Sequence, residues 1–363
     1  MDARIPSRRS GPAATAGLAS AGRRRLALAA AATLGGCLAT WPHTGSARAE
    51  PARLLESRPL MGTRVDIAAQ AADVSLLQPA LDAAFARMAR LTAMMSHYEP
   101  TSSIAALNFA AGLQPVPVPP ELMRVLEMAR VVSQRSDGAF DVTVGSVGRW
   151  HFDARDPRMP TPAYISSHLA AVDYRKLILN PAGGTACLGQ RGMRVDPGGI
   201  AKLYILAAGI DALRELGLET ALVNGGGDVV AMCGASARPW RVGIRDPRRP
   251  DRLLGALDVR RGFVASSGDY ERWFVRDGRR YHHVLDPKTG YPALGAHGVT
   301  LVGDDLESVN GFGAAAMVLD AGAGPDLIRR SRVEALIAGR DDSLWITPAL
   351  RQRLSRETAG SRS

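Results

Sequence analysis

The hydrophobic period changes several times along the chain. Leu60-Met61-Gly62-Thr63-Arg64-Val65-Asp66-Ile67 alternates apolar and polar positions after its glycine, which predicts a strand. Residues 75–95 then place Leu77, Leu81, Phe85, Met88, Leu91 and Met95 at helical spacing, the mark of a core-facing stripe. Residues 96–118 hold no sustained period and predict a loop ending at Val116-Pro117-Val118-Pro119. A second helix is expected over about 120–134, burying Leu122, Val125, Leu126, Ala129 and Val132.

Further on, a Pro- and Arg-rich loop near 153–163 separates Gly138–Trp150 from a helix predicted over 199–216, with Gly217 as its natural stop. Ala221-Leu222-Val223-Asn224 predicts a strand broken by Gly225-Gly226-Gly227. Short β-like runs fill 240–303, helices are expected over 307–320 and 325–332, and 334–346 suggests a closing strand pair. There is no regular βαβ alternation, no fixed-period repeat and no clear linker. The pattern implies an α+β fold in one compact domain over 50–350, followed by a disordered tail at 351–363.

The first 49 residues read as an address. Gly22-Arg23-Arg24-Arg25-Leu26 precedes an apolar run, Ala27 to Leu34, too short to span a bilayer. The adjacent arginines predict a twin-arginine export signal and a periplasmic protein. Ala47-Arg48-Ala49 offers a cleavage site, the favoured reading. Leu34-Gly35-Gly36-Cys37 resembles a lipobox, which would make Cys37 a lipid anchor and the protein's one link to a membrane.

Charge changes this picture little. The net charge is +10, but residues 1–49 hold seven arginines and one acid and so carry +6 of it. The remaining +4, with no RRM, zinc-finger or helix-turn-helix signature, is only weak support for nucleic-acid binding. Lysine is confined to Lys176, Lys202 and Lys288, the last two in glycine-bearing turns. Cys37, Cys187 and Cys233 form no disulfide framework; a single Cys187–Cys233 bridge stays open, and buried free thiols are the favoured expectation.

Four motifs can carry chemistry. Asp196-Pro197-Gly198-Gly199-Ile200-Ala201-Lys202 opens a helix, where backbone N–H groups and a lysine suit a phosphate. Alone it is weak, because a glycine turn before a helix is most often only a turn. Asn224-Gly225-Gly226-Gly227-Asp228 permits close backbone approach, and a plain hairpin explains it as well. Ala265–Arg272 sets paired hydroxyls and a carboxylate around Gly268 and lacks the GxSxG elbow of a serine hydrolase. Tyr281-His282-His283-Val284-Leu285-Asp286-Pro287-Lys288-Thr289-Gly290 holds two histidines that point to opposite faces of a strand, one expected toward the site and one toward solvent. His283, beside the Pro-Lys-Thr-Gly turn, is the candidate for acid–base work.

Taken in order, these motifs resemble the bacterial flavin transferases, the FAD:protein FMN transferases once described as thiamine-biosynthesis lipoproteins. The likeness runs from Met61 to Ala321. It includes Met61-Gly62-Thr63, Met95-Ser96-His97-Tyr98 with Ser102-Ser103-Ile104 and Asn108, Gly138–Gly145, the Asp196–Lys202 turn, Asn224–Asp228, Trp240–Ile244, Ser266–Arg272 and His283–Pro292. The resemblance implies an α+β domain with FAD in a cleft and a magnesium ion beside its pyrophosphate. It implies flavin contacts at Met61, Tyr98, Ala139, Phe140, Asp141, Gly198, Tyr204 and Val284. The implied reaction is phosphoryl transfer: a Thr or Ser hydroxyl on an acceptor protein takes the FMN half of FAD, and AMP leaves. The acceptor would be an exported or membrane protein, such as one of respiratory maturation or electron transfer. Lys202 would help neutralise the phosphate and His283 would take the hydroxyl proton, with Asp286 or Asp269 orienting it.

One segment departs from the pattern. The resemblance places metal ligands at the backbone carbonyl of Ala201 and at two side chains, an Asp and, four residues on, a Thr. Here those positions hold Asn310 and Ala314, and Leu203 stands where a Gly is expected. Magnesium prefers charged oxygen ligands, so weaker metal binding is expected. Three readings stay open: Asp304, Asp305 or Glu307 supplies the missing ligand, transfer proceeds slowly on Lys202 and helix dipoles, or the chain is a FAD-binding accessory protein without transferase activity.

Overall fold

The computed structural model describes residues 51–355. The predicted export signal, the predicted lipobox and residues 356–363 of the predicted tail lie outside the described residues.

The chain begins with a hairpin. β1 (Ala52–Leu60) and β2 (Thr63–Ala71) pair antiparallel with Leu60 opposite Thr63. The two turn residues, Met61 at φ 53 and Gly62 at φ 71, are both left-handed, as a twist-matched two-residue hairpin requires. The single strand expected across 60–67 is therefore split at this turn, because its Gly marks a reversal and not a strand start. α1 (Leu77–Met95) follows, burying Leu77, Leu81, Phe85, Met88, Leu91 and Met95 as its spacing predicts. The expected loop over 96–118 contains a short helix, α2 (Ser103–Phe109), capped by the Ser102 hydroxyl accepting from the Ala105 N–H. Next come β3 (Val116–Pro117), α3 (Pro120–Arg135), α4 (Pro162–His168), β4 (Leu177–Asn180), β5 (Thr185–Leu188) and α5 (Ala201–Glu215).

The second half is richer in β-structure. β6 (Thr220–Gly225) and β7 (Asp228–Met232) form a hairpin, with Gly226 at φ 58 and Gly227 at φ 89 in its turn. β8 (Trp240–Asp246) pairs with β9 (Arg249–Val259), and β10 (Arg261–Gly268) precedes the small hairpin of β11 (Trp273–Arg276) and β12 (Arg279–His282). β13 (Ala296–Gly303), α6 (Leu306–Val309), α7 (Phe312–Val318), α8 (Ala323–Ser331), β14 (Glu334–Gly339), β15 (Leu344–Ile346) and α9 (Pro348–Arg353) complete the domain. Residues 351–355, expected in the tail, are structured: α9 runs to Arg353, and Ser355 exchanges backbone hydrogen bonds with Ala256.

The architecture is α+β. An eight-stranded antiparallel sheet, ordered β1-β2-β6-β7-β10-β13-β14-β15, separates two apolar layers. On one face Val65, Ile67, Val223, Val230, Leu301 and Ile337 meet the helices; on the other Val229, Val264, Val302 and Leu336 meet β8, β9 and α9. This two-residue alternation is what a sheet buried on both sides requires. α1 and α5 lie together on the helical face. Gly209 in α5 meets the Met88 sulfur of α1 at 2.8 Å from an ideal Cβ, so a larger residue would push the helices apart. The sheet thereby fixes where the first turn of α5 points.

The helix expected over 307–320 is interrupted. Asn310 takes extended backbone angles and Gly311 sits at φ 82, which only glycine adopts without strain. α6 and α7 are thus separate short helices hinged at Asn310-Gly311.

Candidate functional site

The start of α5 gathers the loops. Asp196 caps the Pro197–Gly199 turn by accepting the Gly198 N–H at 2.9 Å, and its carboxylate also meets His97 Nδ1 at 3.1 Å. Burial pushes the Asp196 carboxyl up, but the His97 ring, the Gly198 amide and nearby Arg272 outweigh this and hold it below the ordinary carboxylate value. Phe140 packs on Gly199, its ring 3.0 Å from where a Cβ would stand. The 138–145 turn thus lies on the glycines. Asp141 shapes that turn from inside: its oxygens accept from the Thr143 N–H (2.8 Å), the Thr143 hydroxyl (2.6 Å) and the Tyr174 N–H (2.8 Å).

One residue into α5, Lys202 Nζ meets Asp228 at 2.9 Å. The other Asp228 oxygen accepts the Ser266 N–H at 2.8 Å. Three sequence motifs therefore converge on one buried carboxylate. The Met61–Thr63 turn joins them, with Thr63 Oγ1 3.1 Å from an ideal Cβ on Gly226. The hairpin reading of Asn224–Asp228 holds, and the hairpin delivers Asp228 to the site.

His283 lies across from this corner. Its N–H donates to the Arg272 carbonyl at 3.2 Å, and its Nδ1 is buried with no hydrogen-bond partner. Burial, then the positive charges of Arg272 and Lys202, push the ring down to about 3, so it is neutral at any ordinary pH. Phe152 stands edge-on at 6.5 Å, part of an aromatic cluster with Trp150, Phe274 and Tyr281. The expected split of the histidines fails: His282 does not face solvent but is buried, its Nε2–H donating to the Ala293 carbonyl at 2.9 Å. The segment Val284–Ala293 folds back beside β12 and covers it, with the Ala293 N–H donating to the Val284 carbonyl.

Neither proposed orienter bonds to the His283 ring. Asp286 accepts from the Lys288 N–H and the Thr289 hydroxyl and so builds its own turn. Asp269 is buried against His297 at 2.7 Å, with Arg280 and Arg340 beyond. Tyr204 is also elsewhere: it faces Glu121, Arg124 and Asp211 on a polar surface hollow, because it lies two residues beyond Lys202 and so points to another side of the helix. Tyr98 does reach the site, its ring 3.9 Å from that of His97 and its hydroxyl within reach of Arg272. His97 and Arg272 were missed as site residues by sequence reasoning, although both lie inside quoted motifs; partnership with Asp196 across about a hundred residues has no local signal.

The remaining side of the turn carries no anion. Asn310 is buried, and its Nδ2 donates to the Ile200 carbonyl at 2.8 Å. That orientation is required, since Oδ1 against a carbonyl oxygen would be repulsive. Ala314 presents its methyl group 4.0 Å from an ideal Cβ on Gly199. Asp305 caps α6 through the Ser308 N–H, and Glu307 pairs with Arg124, so neither supplies a ligand. Among the described residues no group of three or more His, Cys, Asp or Glu could hold a metal ion. The residues at Ala201, Asn310 and Ala314 do not fit a magnesium ion.

A glycine turn at a helix start, a lysine, a neutral histidine and a tyrosine gather at one place on an antiparallel α+β scaffold. The ApbE family model matches residues 61–337, and the chain belongs to the ApbE family. It is 35% identical over 230 residues to a protein of Treponema pallidum named FAD:protein FMN transferase, covering 59% of this chain and 64% of that one. A Klebsiella pneumoniae protein of the same name is 35% identical over 193 residues, covering 53% of this chain and 60% of its own. The match thus spans less than two thirds of either relative. Among solved structures, the ApbE protein of Thermotoga maritima superposes with a TM-score of 0.75 at 26% identity, over 84% of this chain and all of that one.

Proposed function

We propose that this chain is a FAD:protein FMN transferase, moving FMN from FAD onto a Thr or Ser hydroxyl of an exported or membrane acceptor protein. The observation that carries this reading is the Lys202–Asp228 pair one residue past the Gly198-Gly199 turn's helix start, with the neutral His283 ring, its Nδ1 without a partner, within electrostatic reach of Lys202. The turn and Lys202 suit a dinucleotide's phosphates, and Met61, Tyr98, Phe140 and Val284 supply apolar and aromatic surface around them. In the reaction the acceptor oxygen bonds to the FMN phosphorus, the bond to AMP breaks, and the hydroxyl proton passes to His283. A ring held down to about 3 is a weak base in the free chain. Phosphates placed beside it bring negative charge and raise its basicity when substrate is bound. Lys202 offsets charge on the phosphate oxygens.

Asn310 and Ala314 favour a second reading, a FAD-binding accessory protein without turnover, because the resemblance expects metal ligands there. The predicted twin-arginine signal supports a periplasmic setting for either. The test is incubation of the protein with FAD and a threonine-bearing acceptor, following AMP by chromatography and covalent flavin by in-gel fluorescence. Stoichiometric AMP and labelled acceptor support the transferase. Bound FAD with neither product selects the accessory protein.

A further inference from the structure

We propose that this chain holds the phosphates of its dinucleotide with the guanidinium groups of Arg272 and Arg149 and with Lys202, and not with a divalent cation. The inference rests on the FAD reading and concerns how that ligand is held.

Two independent observations lead to it. The first is the corner between the Ile200 carbonyl and α7. A divalent cation there would need oxygen donors, preferably charged. Asn310 aims N–H at the carbonyl, Ala314 offers carbon, and the neighbouring acids Asp305 and Glu307 are committed to a helix cap and to Arg124. The corner is closed by its own hydrogen bond.

The second is an excess of unpaired positive charge around Tyr98. Arg272 and Arg149 are both exposed, and both act on Tyr98, one of the residues at the mouth of the site. Among the described residues neither has a carboxylate within 4.0 Å, whereas Lys202 is already compensated by Asp228. The Arg272 backbone is held in place, since its carbonyl accepts the His283 N–H. Its guanidinium also acts on Asp196, the cap of the glycine turn, and on His283. A dinucleotide diphosphate brings two negative charges. Arginine binds phosphate oxygens through a planar pair of donors without the coordination demands of magnesium. The site therefore has a charge partner for the diphosphate that does not depend on the closed corner.

The test is FAD affinity by flavin fluorescence quenching, on the whole chain, in EDTA and in millimolar magnesium. The expected dissociation constants agree within about twofold, since no ion takes part, and they weaken with sodium chloride as exposed charge contacts do. Arg272→Gln and Arg149→Gln each weaken FAD by roughly 10- to 100-fold in both buffers, the loss of one charge-assisted contact. These are surface changes, and an unchanged melting temperature verifies folding. Asn310→Asp with Ala314→Thr is expected to create a magnesium dependence that the parent lacks. FAD binding that appears only with magnesium overturns the inference and leaves the FAD reading standing. Metal-independent binding that ignores both arginine changes overturns the assignment of Arg272 and Arg149. No FAD binding in either buffer overturns the FAD reading itself, and the inference with it.

Discussion

The two sides of the Pro197–Gly199 turn are built to opposite rules. Toward β7 and β12 the side is ionic and strained for partners: Lys202 pairs with a carboxylate 9% exposed, and a buried ring nitrogen of His283 lacks any bond. Toward α7 the turn meets neutral groups, with Asn310 sealing the Ile200 carbonyl and Ala314 filling the space beside Gly199. Satisfied neutral polar groups stabilise a fold, whereas unsatisfied or charged ones persist where a ligand completes them. The contrast assigns chemistry to the first side and structure to the second.

Changes on the reactive side should have the largest effects on turnover. His283→Ala is expected to lower the rate of AMP release by about 100- to 10,000-fold while FAD still binds, as loss of a general base does. An equal loss of FAD affinity would place His283 in binding instead. Lys202→Ala leaves Asp228 buried without its partner. Because the lysine side chain is 30% exposed, the expected cost is about 1–3 kcal/mol in denaturant titration, below that of a fully buried pair. Adding Asp228→Asn should recover much of this stability without recovering FAD affinity.

The structural side sharpens the contrast. Asn310→Asp replaces a donor with a carboxylate facing a carbonyl oxygen, which should destabilise the metal-free chain by about 1–3 kcal/mol. With Ala314→Thr also present, magnesium should raise the melting temperature, a rise not expected for the parent. An unchanged melting temperature for Asn310→Asp without metal would show that the Ile200 contact contributes nothing.

The effect that is smallest at neutral pH, and grows only in acid, is on pH dependence. Burial first, and then neighbouring positive charges, hold His283 down to about 3 against its ordinary value of 6.5. The unfolded chain binds the extra proton between those values, so the stability contribution is complete above about pH 6.5 and is lost as pH falls towards 3. His283→Gln should make the acid limb of the stability curve shallower, while His282, also held down by burial, keeps part of the slope.

Much of this was legible in the chain. The α1 and α3 stripes, the stop of α5 before Gly217 and the β6 strand follow from periods and glycines, which are local signals. What stayed hidden depends on contacts between distant segments. Gly62 reads as a strand start until Thr63 is seen opposite Leu60. The break at Asn310-Gly311 is set by close approach of Val132 and Ile200 to Gly311. Asp286 sits near His283 in sequence yet spends both oxygens on its own turn, so adjacency misassigned its role. The thiols Cys187 and Cys233 are free as expected, though half-buried and not fully buried.

Diffraction from crystals soaked in FAD with manganese in place of magnesium tests the contrast most directly. Flavin phosphates should lie against Gly198-Gly199 and Arg272, with no anomalous peak beside Asn310. A manganese peak between Asn310 and the Ala201 carbonyl, bridging to the diphosphate, would contradict the account.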